Sequence, residues 1–151
     1  MSLLTIERTF PVSPEKVFAF IKVFAFITQM ENLLQWWGPK GTSIAEHNLD
    51  LSKVGEWFMV MVDPSGAHHK VTGEVLSIDP PRSVEFTLIV HDGKGGRMID
   101  SVVRFQSSPI DTGGAHFLLT QSGLTDAEIE LQSKQGWAST LSRLEELLNQ
   151  I

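Results

Sequence analysis

The chain has 151 residues, of which 42% are hydrophobic and 20% charged, and its 12 basic and 18 acidic residues give a net charge of −6. This length and balance predict one globular domain spanning residues 1–151, and the scattered Lys and Arg argue against nucleic acid or a membrane surface as partners. Because the sequence has no cysteine, no secretory signal and no apolar run long enough for a bilayer, we expect a soluble cytoplasmic protein without disulfides.

The N-terminal part of the sequence predicts one strand followed by two short helices. Residues 3–10 alternate loosely and end at Pro11, which is typical of a strand. Ser13-Pro14-Glu15 then offers an N-cap, a proline at the first helical position and an acid in the first turn, so a helix should begin there. A second short helix is predicted at residues 31–37 and should end at Gly38-Pro39.

The rest of the sequence predicts an antiparallel meander and then a long helix. The glycine-rich stretch 92–96 joins two apolar runs, which indicates a hairpin turn and not a phosphate-binding loop. Asp126 is a candidate N-cap, and the apolar residues that follow it have helical spacing. The predicted strands of the meander are residues 42–51, 55–62, 67–78, 83–91, 98–106 and 115–123.

Several motifs occur in order along nearly the whole chain. They are Ser13-Pro14-Glu15, Leu34-x-Trp36-Trp37-Gly38-Pro39, Gly55-x-Trp57, Met61-x-Asp63-Pro64-x-Gly66, Gly73-x-Val75, Pro80-Pro81 with Phe86-Thr87, and Gly136-Trp137-x-x-x-Leu141-x-x-Leu144. This ordered set resembles the activator of heat-shock protein 90 ATPase-like family of the START-like, or SRPBCC, helix-grip superfamily. The resemblance implies an α+β helix-grip fold, in which a curved antiparallel sheet of about seven strands wraps around a long C-terminal helix, with two short helices after the first strand.

The helix-grip resemblance also implies an apolar cavity between the sheet and the C-terminal helix. Alternate residues of a strand face opposite sides, and the resemblance places Trp57, Met59 and Met61 on the inner side. The alternative is that such residues only fill the core, since aromatic residues and methionines are commonly buried. The candidate cavity residues are Trp36, Trp37, Trp57, Met59, Met61, His69, Phe86, Leu88, Phe105, Trp137 and Leu141.

The opposite side of the same strand is also apolar. It carries Phe58, Val60 and Val62, whereas a solvent-facing side should alternate to polar residues. We interpret these three residues as a candidate subunit interface, because exposed apolar patches on proteins usually mark contacts. The alternative is that the N-terminal strand, a loop or a bend of the sheet covers them.

The sequence offers no recognisable catalytic, cofactor or metal motif. His68 and His69 are adjacent on a predicted strand, so their rings point to opposite faces, and no His-Glu-x-x-His spacing occurs. His69 is expected either to place one polar group in the cavity or to lie at its rim. Glu74 and Glu85 could serve as acids or bases by position, but their alternation with apolar neighbours places them outside. We therefore predict no catalytic residue, cofactor or metal.

Residues 16–27 read KVFAFIKVFAFI, the same hexapeptide twice. In relatives one such hexapeptide fits between the Ser-Pro-Glu cap and Trp36-Trp37, so one copy is surplus. Six residues advance a helix by about 600°, and a continuous helix would therefore expose the second apolar set to water. The surplus copy either loops out, extends the helix into an oligomer contact or is absent from the protein itself, and an intact mass distinguishes the last case.

Three functions remain open from the sequence. The first is binding of a hydrophobic small molecule or lipid in the cavity. The second is partner binding, either to a chaperone or in a homodimer. Family members that activate a chaperone carry an additional N-terminal domain, whereas this sequence begins at the first helix-grip strand. We therefore do not expect direct stimulation of a chaperone ATPase. The third is a cyclase or hydrolase activity on an apolar substrate, which needs a buried acid or histidine at the cavity.

Overall fold

One antiparallel sheet of seven strands carries the fold, and a long C-terminal helix packs against it. The computed structural model describes residues 2–10, 24–25, 27–111, 114–124 and 126–149. Within these residues the strands are β1 (Ser2–Phe10), β2 (Ser43–His47), β3 (Gly55–Val62), β4 (His68–Asp79), β5 (Ser83–His91), β6 (Arg97–Pro109) and β7 (Ala115–Leu124), and the helices are α1 (Met30–Trp36) and α2 (Ala127–Leu148).

The order of the strands explains how the chain encloses its core. Strands β2 to β7 form a meander, and β1 pairs with β7, so the spatial order is β1-β7-β6-β5-β4-β3-β2. The two strands at the edges are therefore β1 and β2, and the chain between them has to cross the whole width of the sheet. Helix α1 lies on this crossing and buries Leu33 and Trp36. The predicted α+β helix-grip fold is confirmed.

Alternation along the strands separates a buried inner face from a more polar outer face. On β3, Trp57 and Met59 are buried, and Met59 stands opposite Val71 of β4 in the pairing register. On β5, Phe86 is fully buried and pairs with Val103 of β6. These positions agree with the alternation predicted from the sequence, because period-two spacing places every second side chain on the same face.

Aromatic rings fill the middle of the core, with Trp37 at their centre. The Trp37 ring lies 5.8 Å from those of Trp36 and Trp137, 6.2 Å from Trp57 and 6.3 Å from Phe86, measured between ring centroids. Such pairs contribute about 0.5–1.5 kcal/mol each beyond area burial. Trp37 therefore joins the crossing segment, the sheet and helix α2 in one cluster.

Helix α2 begins where the sequence predicts. Asp126 has extended backbone geometry, and its Oδ1 accepts hydrogen bonds from the amides of Glu128 (2.7 Å) and Ile129 (3.4 Å). This satisfies amides that lack partners within the helix. The residues that α2 buries recur at helical spacing: Trp137, Thr140, Leu141, Leu144 and Leu148.

Strand β2 is shorter than the predicted 42–51 and ends at His47. At Asn48, the next residue, the side-chain Oδ1 accepts a hydrogen bond from the amide of Phe58 at 2.6 Å. Leu49 and Leu51 then enter the core with no exposed surface, and the Leu51 amide donates to the carbonyl of Thr28 at 2.8 Å. Burying these two leucines against the crossing segment takes the chain away from the sheet edge.

The predicted first helix and its cap at Ser13-Pro14-Glu15 lie outside the described residues, as does the first KVFAFI copy. The second copy is described at Phe24, Ala25 and Ile27, which are helical. Ile27 is fully buried and Phe24 is 8% exposed. The end of the second copy therefore packs into the core as a single native copy should.

Candidate functional site

A cavity of about 210 Å³ lies between helix α2 and the inner face of the sheet, and it is open to solvent. Its floor consists of buried residues, whereas half-buried residues surround its mouth. The floor is formed by Trp37, Gly38, Val71, Leu88, Gln121, Trp137 and Thr140, and the mouth by Pro39, Met61, Val90, Ile99, Ser133 and Gly136.

Small and branched side chains leave this volume unfilled. The aromatic cluster occupies the neighbouring part of the core, while the sheet offers Val71, Val90 and Ile99 at the cavity. On the helix side Gly136 has no side chain, and a Cβ built there would have Pro39 Cγ as its nearest neighbour, at 3.9 Å. Glycine inside a helix costs about 1 kcal/mol relative to alanine, so Gly136 keeps open a space that a larger residue would fill.

A buried chain of hydrogen bonds lies at the floor of the cavity. Trp137 Nε1 donates to Gln121 Oε1 at 2.9 Å, and Gln121 Nε2 donates to Ser101 Oγ at 2.9 Å. Ser101 Oγ in turn donates to the carbonyl of Leu88 at 3.0 Å. The direction is determined by chemistry, because an indole N–H can only donate and so requires the amide oxygen of Gln121. The chain connects α2 to three adjacent strands.

Ser133 is the one residue of the described cavity lining whose side-chain oxygen is fully shielded and yet unpaired. Its Oγ has no hydrogen-bond partner among the described residues. Thr140, on the same helix and also at the cavity, differs in this respect, because its hydroxyl donates to the carbonyl of Gly136 at 2.8 Å. Three other buried side-chain atoms of the described residues are also without a partner, namely His47 Nδ1, Trp57 Nε1 and Ser107 Oγ.

The described cavity lining contains no Asp, Glu, Lys, Arg or His. No general acid or base therefore stands among these lining residues, although a helix-grip enzyme would need one there. Across the described residues, no group of three or more His, Cys, Asp and Glu is arranged to hold a metal ion. What this lining offers a ligand is apolar surface and a few uncharged hydrogen-bonding groups.

Arg143 holds the segment that forms one wall of the cavity. Its Nη1 donates to the carbonyls of Trp37 and Gly38, each at 3.0 Å, and its Nη2 donates to the carbonyl of Gln35 at 3.2 Å. A cation at these carbonyls also interacts favourably with the C-terminal end of α1. Lys40 adds a second attachment, since its amide donates to Ser139 Oγ at 2.9 Å.

Four of the candidate residues named from the sequence line the cavity. They are Trp37, Met61, Leu88 and Trp137. The remaining apolar candidates do not line this cavity and lie beside it in the packed core. These core residues are Trp36, Trp57, Met59, Phe86, Phe105 and Leu141.

His69 lies outside the cavity lining. Its Nε2 is 2.8 Å from Asp63 Oδ2, and 44% of its side chain is exposed. This hydrogen bond, followed by one from Ser65, holds the pKa of Asp63 well below its usual range. The pair closes the turn between β3 and β4.

Gln121, Ser101 and Ser133 were missed in the sequence analysis. Each is a polar residue on the inward-facing side of its strand or helix. Gln121 belongs to the inward-facing residues of β7, and Ser101 to those of β6. Ser133 stands one helical turn before Trp137. A polar residue that interrupts an apolar stripe is the signal that could have identified all three.

The apolar outer side of β3 is half buried. Phe58, Val60 and Val62 are neither core nor fully exposed, and their partners across β4 include the polar Thr72 and Lys70. The N-terminal strand does not cover them, because β1 lies at the opposite edge of the sheet. The three residues form a narrow apolar stripe with polar neighbours.

The sequence matches the family profile described as Activator of Hsp90 ATPase homolog 1-like protein over residues 12–149. The chain belongs to this family. The crystal structure of the AHSA1 protein from Silicibacter pomeroyi is similar, with 38% sequence identity and a TM-score of 0.86 over 97% of both chains. A search of curated proteins gives no match to this chain.

Other solved structures share the fold. A protein from Nitrosomonas europaea is 25% identical, with a TM-score of 0.76 over 98% of this chain and 94% of its own. One from Chromobacterium violaceum is 21% identical, with a TM-score of 0.80 over 97% and 96%.

Two motifs through which the chain resembles other Hsp90 ATPase activator-like proteins meet at the cavity. Trp37, Gly38 and Pro39 come from one of them, and Gly136 and Trp137 from the other. The Trp37 and Trp137 rings contact each other edge to face. In the part of the chain that is described, no helix is long and apolar enough to cross a membrane.

Proposed function

We propose that this Hsp90 ATPase activator-like protein binds a hydrophobic small molecule in the cavity between the sheet and helix α2. The observation that carries the proposal is the cavity itself, which is concave, mostly apolar and open to solvent. Ligand sites in proteins are typically apolar hollows with a few placed polar groups. A core that needed no ligand could bury this surface with one larger residue at Gly136, where a Cβ has room.

Binding can be tested with a panel of apolar ligands. Because Trp37 and Trp137 both line the cavity, a ligand should change tryptophan emission, and it should raise the melting temperature by mass action. A panel of substituted benzenes, terpenes and lipids that leaves both signals unchanged at saturating concentration would exclude the proposal.

A variant that fills the cavity provides the control. Gly136→Leu places a side chain where only Pro39 is near and removes a helix-interior glycine, so folding should be at least as stable. Ligand binding should be lost. The matched control is Gln135→Leu, which adds the same side chain at an exposed helix position outside the cavity lining and should bind ligand like the wild type.

A second candidate function is contact with a protein partner through the outer stripe Phe58, Val60 and Val62. The half-buried apolar side chains on β3 favour it, and the family description names activation of the Hsp90 ATPase. A chaperone of this class should then retain the wild-type protein in a pull-down, and should not retain Val60→Lys. If the partner is a second copy of the chain, Val60→Lys should instead convert a dimer to a monomer in light scattering.

We also infer a cytoplasmic location. The absence of cysteine supports it, because a chain without thiols makes no use of an oxidising compartment. Cell fractionation tests this location, and recovery of the protein outside the cytoplasmic fraction would contradict it.

A further inference from the structure

A second hollow, the outer depression, lies on the face of the sheet that points away from helix α2. Its volume is about 330 Å³, and it is open to solvent. Much of its lining consists of alternate residues near the end of β6 and the start of β7, namely Arg104, Gln106, Ser108, His116 and Leu118. Phe105 and Phe117, which lie between them in the sequence, face the core. The outer depression and the apolar cavity are therefore on opposite sides of the sheet and share no lining residue.

Two arginines of this lining have no partner in the fold. Neither Arg82 nor Arg104 forms a salt bridge or donates a side-chain hydrogen bond among the described residues. Partners are present for the other three arginines of the sequence, Arg8, Arg97 and Arg143. Both unpaired arginines thus line the same depression, and both are exposed, so that a ligand can reach them.

Backbone hydrogen bonds hold the turn that carries Arg82 beside the strand that carries Arg104. The Arg82 amide donates to the carbonyl of Asp79 at 2.7 Å, and the Arg82 carbonyl accepts from the amide of Ser107 on β6 at 2.8 Å. The two arginines are far apart in the sequence, yet the fold brings them to one site. Because the backbone is already ordered, a ligand does not have to provide the free energy for ordering it.

The acidic groups nearby leave these two cations in excess. Asp79 is the one carboxylate of the described lining, and it forms no ion pair with either arginine. Glu85 stands opposite Arg104 in the register of β5 and β6, but it is outside the lining and does not form an ion pair with Arg104. Glu7, also outside the lining, is 3.6 Å from His116. Two guanidinium groups therefore face one carboxylate in a protein whose net charge is −6.

We propose that the outer depression binds the phosphate group of a small phosphate ester. A phosphate dianion balances two guanidinium groups, and its oxygens accept the paired N–H donors that each of them presents. Ser83, Gln106 and Ser108 offer uncharged hydrogen-bonding groups to the rest of the ester. The volume of about 330 Å³ is at the lower end of the range of about 300–1,000 Å³ for small-molecule sites. This site is independent of the apolar cavity and of the function proposed for it.

Probes without an apolar part test this site alone. Glucose 6-phosphate should bind in isothermal titration calorimetry and glucose should not, because the two differ only in the phosphate. Glucuronate, which has a carboxylate at the same end of the sugar, should bind more weakly, since it has a single charge. Inorganic phosphate should also bind more weakly, because it lacks the contacts of the sugar. In NMR spectra the ester should shift the amide signals of residues 82–83 and 104–108 and leave the indole signal of Trp137 unchanged.

Arg82→Gln and Arg104→Gln should each weaken the binding of glucose 6-phosphate about ten- to a hundredfold, as expected when hydrogen bonds between charged groups are lost. Neither should lower the melting temperature, because neither side chain has a partner among the described residues. The matched control is Arg97→Gln, which removes the same charge from an exposed position of β6 outside the lining. It should change the affinity by less than about twofold, because solvent screens distant charges. Asp79→Asn should strengthen binding, since it removes a carboxylate that repels the phosphate.

The proposal is overturned if neither glucose 6-phosphate nor inorganic phosphate binds the wild type at millimolar concentration. It is also overturned if Arg97→Gln weakens binding as much as Arg104→Gln, because the affinity then reflects the net charge of the protein and not the outer depression. Equal binding of glucuronate overturns the preference for phosphate over carboxylate, and equal binding of inorganic phosphate overturns the role of the ester. None of these results changes the test of the apolar cavity, which uses apolar ligands.

Discussion

Trp137 on helix α2 donates its indole N–H to Gln121 Oε1 on strand β7 at 2.9 Å, inside the core. The bond lies on the side of α2 that also buries Leu141, Leu144 and Leu148 against the sheet. Gly136 precedes Trp137 directly and Ser133 lies one turn earlier. Gly136 and Ser133 are therefore on the part of α2 that borders the cavity.

Trp137→Phe should destabilise the protein by about 1–3 kcal/mol, because it leaves Gln121 Oε1 buried with one partner fewer. The matched control is Trp57→Phe, since Trp57 is also buried but its Nε1 has no partner among the described residues. Urea unfolding should give a smaller loss for Trp57→Phe. Equal losses would mean that ring volume, and not the hydrogen bond, accounts for the effect.

Gly73→Ala should destabilise the protein by about 1–3 kcal/mol through overpacking. A Cβ at Gly73 would lie 2.6 Å from Trp57 Cζ2 and would also collide with the backbone oxygen of Thr87. Gly136→Ala is the opposite case, because a Cβ has room at this position. The substitution should raise the free energy of unfolding by about 1 kcal/mol. The melting temperature should fall for Gly73→Ala and rise for Gly136→Ala. If Gly73→Ala is as stable as the wild type, the sheet can rearrange enough at this position to accept the Cβ.

Stability at low pH should depend on Asp63. The hydrogen bonds from His69 and Ser65 lower its pKa from the ordinary value of 3.8, so the folded protein binds this proton less readily than the unfolded chain. The stability from the carboxylate is therefore fully present above about pH 4 and is lost as the pH falls below it. Between about pH 5 and pH 2.5, the melting temperature of wild type should fall more than that of Asp63→Asn.

A control for that experiment is Asp111→Asn, which removes one negative charge at an exposed loop position. It should retain the pH dependence of the wild type. If Asp63→Asn also retains it, the bond to His69 makes no difference to folding in acid.

Arg143→Ala should cost about 2 kcal/mol, because three carbonyls at the end of α1 lose a charged donor. Arg143→Lys should recover little of the lost stability, since one ammonium group cannot donate to all three carbonyls as the planar guanidinium does. Hydrogen exchange should increase at residues 35–38 if this side chain holds the cavity wall. Lys40→Ala, which breaks an exposed pair with Glu146, should change stability by less than about 1 kcal/mol.

Much of the architecture could be predicted from local pattern. The Asp126 cap and the hairpin at residues 92–96 each depend on a few neighbouring residues. On β3, alternation separated two sets of side chains, and the family resemblance identified the set with Trp57 and Met59 as the inner one. Periodicity and capping act within a turn of helix or along one strand, so the sequence contained all that was needed. Strand β2 was predicted too long, because burial of Leu49 and Leu51 against Thr28 is a contact that local pattern does not reveal.

The sequence by itself determined the helix-grip order, the apolar inner face and the family motifs around Trp37 and Trp137. Only the tertiary structure decided that the large rings pack solid while a small cavity remains beside them, and that Gln121 and Ser101 pair whereas Ser133 does not. The physical reason is that side-chain volumes and hydrogen-bond partners are settled between elements far apart in the chain. Strand register, sheet curvature and the rotation of α2 bring those elements together, and none of the three can be derived from a single segment.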